Sequence, residues 1–124
     1  MKVGKDENSS RHNSEATMGK TSREKGKRGE REVASILREY GYDARRGVQY
    51  HGGKDSPDVV GLPGIHIEVK RTERLHLWDA LAQAKADAGD NIPVVFHRAN
   101  ECPWVVIMDA RDWMKLFQAW EENQ

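Results

Sequence analysis

The stretch Asp58-Val59-Val60-Gly61-Leu62-Pro63-Gly64-Ile65-His66-Ile67-Glu68-Val69-Lys70 decides how this chain folds. Two short β-branched runs flank a Gly-Leu-Pro-Gly link, which reads as a tight hairpin. Side chains alternate across a strand, so Glu68 and Lys70 point to one side while Ile67 and Val69 point into a core. Asp58 opens the neighbouring strand, and pairing of the two strands would set its carboxylate beside Glu68.

Working outward, the spacing of Val33, Ile36, Leu37 and Tyr40 predicts a helix upstream, with Thr21 and Glu24 as a capping box and Gly41 as its left-handed stop. Gly26 and Gly29 each weaken such a helix by about 1 kcal/mol relative to alanine. Either something approaches the helix backbone closely there, or the helix begins nearer Glu30. A short strand is expected over Tyr42–Arg46, then a polar, glycine-rich loop over Gly47–Pro57. Downstream, Leu77, Leu81, Ala84 and Ala88 mark one helix face. Val94–Phe96 and Trp104–Met108 read as strands, and Asp109 caps a last helix carrying Trp113, Leu116, Phe117 and Trp120. The order is α-β-β-β-α-β-β-α, an α/β domain with a central sheet flanked by helices. Residues 1–20 are polar and aperiodic and read as a disordered arm, leaving 21–124 as one domain.

With 124 residues, 37% hydrophobic and 32% charged, the chain suits one soluble domain, and no apolar run approaches a membrane span. Cys102 is the only cysteine, which fits a reducing cytoplasm. The formal net charge is zero, yet Lys25, Lys27, Arg28 and Arg31 cluster in the first helix, and Arg45, Arg46 and Lys54 follow. A neutral protein can still turn one positive face toward phosphates. Scattered solubilising charge is the ordinary alternative.

The chemistry sits in Ser56-Pro57-Asp58 and Ile67-Glu68-Val69-Lys70. Two converging carboxylates suit a hard cation such as Mg²⁺. Such an ion neutralises a phosphodiester and lowers the pKa of a water, and an adjacent ammonium, Lys70, stabilises the charge that develops. Asp followed by Glu-x-Lys also occurs by chance, usually as an exposed cross-strand ion pair. The prolyl and β-branched residues around these three groups favour the site.

Lys25-Gly26-Lys27-Arg28-Gly29-Glu30 resembles the first-helix motif of archaeal-type Holliday junction resolvases, within the PD-(D/E)xK nuclease superfamily. Ser56-Pro57-Asp58-Val59-Val60 and Ile67-Glu68-Val69-Lys70 resemble that family's second and third motifs, in the same order, across about residues 21 to 115. The resemblance implies a restriction-endonuclease-like core and a Mg²⁺-dependent (Mn²⁺ substituting) endonuclease acting on branched DNA as a homodimer, in a bacterial or phage-infected cell. It implies Glu30, Asp58 and Glu68 as metal carboxylates, the Val69 carbonyl as a further ligand, Lys70 as the catalytic lysine and Gln83 as its support. DNA contacts are expected from Lys25, Lys27, Arg28, Arg31, Arg45 and Arg46, and from Gln49, Tyr50, His51 and Lys54 of the loop. A less selective repair or restriction nuclease, and a catalytically silent DNA-binding module of the same fold, stand as alternatives. The five histidines show no zinc-ligand spacing. The terminal aromatics fit a core or subunit interface better than a base-stacking platform.

Overall fold

The computed structural model describes residues 11–47 and 56–124. Helix α1 (Arg11–Glu39) leads into β1 (Arg45–Arg46), β2 (Val59–Val60) and β3 (Ile65–Arg71). Helix α2 (Leu77–Asp87) then crosses to β4 (Ile92–Arg98), followed by β5 (Val105–Ile107) and α3 (Ala110–Glu122). This is the expected order. The five strands form one mixed sheet in sequence order. Among the described strands only β3 and β4 run parallel, because α2 carries the chain back between them.

Two apolar layers hold the helices to the sheet. Val33, Ala34 and Leu37 of α1 bury against Ala44, Val59, Ile67, Val69 and Val94. Ala80, Leu81 and Ala84 of α2 bury with Val95, closed by Leu75 and Ile107. The small α2 alanines let that helix lie close to the strands. Burying each larger aliphatic side chain contributes roughly 1.5–3 kcal/mol.

Helix α1 ends as its sequence dictates. Gly41 adopts φ 96 and its N–H bonds the Arg38 carbonyl, while the Tyr42 N–H reaches back to the Leu37 carbonyl. These two bonds form a Schellman cap, which favours glycine because a Cβ would strain that backbone.

Several expectations are corrected. The helix already includes Arg11, the first described residue, so residues 11–20, expected in the polar arm, are helical, and Thr21 and Glu24 lie inside the helix rather than capping it. Glu15, Ala16, Met18 and Lys20 are good helix formers, and an existing helix propagates through them cheaply. A start near Glu30 is likewise excluded. The first strand is shorter than Tyr42–Arg46, since Tyr42 belongs to the cap. Tyr40 is exposed because the helix has ended. The aromatic residues of α3 are not core: the helix buries none of its residues. Asp109 caps it as read, its side chain accepting the Arg111 N–H at 2.8 Å.

Candidate nuclease site

Three segments bring acidic groups together where β2 and β3 part. The Asp58 N–H still bonds the Ile67 carbonyl at 2.8 Å, but the backbone then diverges. Its side chain replaces the missing rung, with Oδ2 accepting the Val69 N–H at 2.8 Å. That swap turns the carboxylate toward β3, where it hydrogen-bonds Glu68. The sequence pairing of Asp58 with Glu68 is therefore observed.

Glu68 lies on the face that β3 turns toward α2, buried to 4% exposure. Its Oε2 lies 2.7 Å from Nε2 of His66, which is also buried. Along the same face, Lys70 Nζ reaches Gln83 Oε1 of α2 at 3.4 Å. Asp87, one helical turn beyond Gln83, comes near both Glu68 and His66, and donor atoms of the three lie within 4.8 Å of one another. Sequence reading passed over His66, although the alternation that aligned Glu68 with Lys70 places His66 in the same row.

Glu30 enters from α1. Its carboxylate accepts the Arg46 Nε–H at 2.8 Å and senses the charge of Asp58. Arg46, expected at a phosphate, thus pairs with a site carboxylate in this structure. Gly29 allows the helix to come this close: a Cβ there would stand 2.8 Å from Arg71 Cβ and 3.4 Å from the Trp104 ring. The close approach inferred for the glycine pair holds at Gly29. Nothing lies within 4 Å of a Cβ at Gly26.

The electrostatics follow from crowding. Burial, then the charge of Glu68, pushes Asp58 up to about 6 from an ordinary 3.8, against the pull of the Val69 N–H. Burial also raises Glu68, offset by its hydrogen bond to Asp58, and raises Glu30, offset by Arg46. Such an excess of buried carboxylate charge costs free energy that a cation would relieve. The oxygen donors suit a hard ion.

A groove of about 630 Å³ runs from Lys70 past Arg71 and Arg74 to Ser22, Lys25 and Gly26 in the middle of α1. Lys25 is tied to Glu73 at 3.5 Å, whereas Lys27, Arg28 and Arg31 are exposed on the helix. Arg45 is exposed as well, near Asp43 at 3.8 Å. Gln49, Tyr50, His51 and Lys54 lie outside the described residues. No described helix is long and apolar enough to cross a membrane.

Comparison with known proteins agrees with this geometry. A family model described as archaeal Holliday junction resolvase (Hjc) matches residues 21–80, the segment holding Glu30, Asp58, Glu68 and Lys70. Solved structures that match include Hjc from Archaeoglobus fulgidus, a Holliday junction resolvase from an archaeal hyperthermophile. It shares 26% identity and a TM-score of 0.51 over 68% of this chain and 72% of that one. No curated protein matches. Motif order, family match and fold together make the chain similar to the archaeal Holliday junction resolvases.

Proposed function

We propose that this protein is a Mg²⁺-dependent endonuclease that selects branched duplex DNA and hydrolyses its phosphodiesters. The observation that carries this reading is the convergence of Asp58, Glu68 and Glu30 beside Lys70. Asp58, Glu68 and Glu30, with the Val69 carbonyl, would hold the ion. When bound, Mg²⁺ supplies positive charge for the phosphate and acidifies a water, and Mn²⁺ can replace it.

The protein's own residues do the rest. Lys70 carries an ammonium that orients the attacking water or offsets charge growing on the phosphoryl oxygens. Gln83, 3.4 Å away, limits the rotamers of Lys70. Arg46 restrains Glu30. The groove beside Lys70, with Lys27, Arg28 and Arg31 on the neighbouring helix, offers cations to the sugar–phosphate backbone. Paired cuts across a four-way junction need two such sites, so a two-fold dimer is part of the reading. The exposed apolar face of α3 is the surface that favours one.

Labelled four-way junction and linear duplex, incubated with and without Mg²⁺, test the proposal. Cutting of the junction alone, and only with the ion, is expected. Equal cutting of both substrates would make the protein an unselective nuclease. Junction binding without any cutting would leave a silent binding module.

A further inference from the structure

Lys70, Glu68 and His66 occupy one row on β3, and α2 runs alongside. Gln83 of α2 meets Lys70, and Asp87, one turn later, meets the other two. Glu68 therefore has two sides. Asp58 lies on one, and His66 on the other, with Nε2 2.7 Å from Oε2. The side chains of His66 and Glu68 are only 3% and 5% exposed, so water cannot stand in for either partner.

We infer that His66 is a positioning residue, holding one oxygen of Glu68 so that the carboxylate presents the other toward Asp58 and the ion. This rests on the nuclease reading of Asp58 and Glu68 and adds a residue to it. An ionised carboxylate only accepts hydrogen bonds, so His66 must donate through Nε2–H. Its Nε2 is therefore committed to Glu68 and does not itself ligate the ion. Its place in the row agrees: Glu68 separates it from Lys70 and from the groove that would take the phosphates. Without the donor, Glu68 could rotate freely or turn toward solvent, and each event would scatter the ligand set. Outer partners of this kind typically contribute about 10–100-fold to metal affinity.

The test uses the whole, DNA-free protein titrated with Mn²⁺ alone, read by calorimetry or by the electron paramagnetic resonance of the free ion. His66→Leu removes the donor, whereas His66→Gln returns an amide N–H near the Nε2 position. His66→Leu is expected to weaken Mn²⁺ binding about 10–100-fold. His66→Gln should stay within a few-fold of the parent, and junction cutting by His66→Leu should recover at saturating Mn²⁺. If His66→Leu does not fold, His66→Asn, whose shorter side chain stops short of Glu68, is expected to show the same weakening.

Parent-like Mn²⁺ affinity in folded His66→Leu or His66→Asn would overturn the inference while the nuclease reading stood. Equal loss in His66→Gln and His66→Leu would overturn it by making His66 a ligand. Glu68→Gln and Asp58→Asn isolate the underlying reading: if neither disturbs Mn²⁺ binding, the site assignment fails, and this inference with it.

Discussion

Asp58 Oδ2 takes the Val69 N–H at 2.8 Å, filling a rung of the sheet with a side chain. Asparagine can still accept that bond through its amide oxygen, so Asp58→Asn should fold. Cutting is expected to fall by at least about 10²-fold, as when other charge-stabilising groups are removed from active sites. Affinity for uncut junction should be unchanged or higher, because a crowded negative charge has gone. A gel-shift titration beside a cleavage time course checks both. Near-normal cutting would overturn the assignment of this carboxylate.

The same substitution should stabilise the metal-free protein. Asp58 is raised to about 6 in the fold from 3.8. Its favourable contribution is thus present below pH 4 and lost as pH rises through 6. At pH 7 in chelator, Asp58→Asn should melt higher, by on the order of 1–3 kcal/mol. At pH 4 the difference should shrink toward zero. A gap that stays constant between the two pH values would contradict the crowding.

Metal binding should carry a proton linkage with the opposite slope. A cation must displace the proton retained by Asp58, so apparent Mn²⁺ affinity should drop by about tenfold per pH unit below 6 and level off above 7. Calorimetry in buffers of differing ionisation enthalpy would count the released protons. Affinity independent of pH from 5 to 7 would rule this out.

Lys27 and Arg28 are exposed on α1. Replacing both with alanine should weaken junction binding and lower the slope of log affinity against log salt by about two. Unaltered salt dependence would remove this stretch of helix from the DNA-contacting surface.

The two helix glycines should respond oppositely to alanine. Gly26→Ala meets open space and should gain about 1 kcal/mol from helix propensity. Gly29→Ala forces its Cβ against Arg71 Cβ at 2.8 Å, so α1 must shift off β3. Thermal melts of the two variants give the sign directly.

Much of this was legible before any coordinates. Strict alternation in Ile65–Lys70 set Glu68 beside Lys70 and opposite Ile67, because strand geometry leaves no other choice. Gly41 read correctly as a helix stop, since the Schellman turn is a local event. What escaped depended on tertiary pairing. No spacing rule brings Arg46 to Glu30, and Glu30 itself was reached only through a family resemblance. His66 was legible in principle, but histidines were weighed for zinc spacing and not for their partners along the strand. The start of α1 eluded periodicity because no apolar pattern marks Arg11–Lys20. The stripe of Trp113, Phe117 and Trp120 announced an apolar face without saying whether the core would cover it.

One further consequence comes from the place of Glu30. It belongs to α1, made early, whereas Asp58, just before β2, and Glu68, on β3, come later in the chain, and Lys70 meets Gln83 only once α2 has docked. These contacts are remote in sequence, so closing them carries a loop-entropy cost. A chain still emerging from the ribosome before β3 is made therefore holds only part of the acid cluster. The acid cluster and its lysine are complete only in a chain whose first helix, hairpin and second helix have come together.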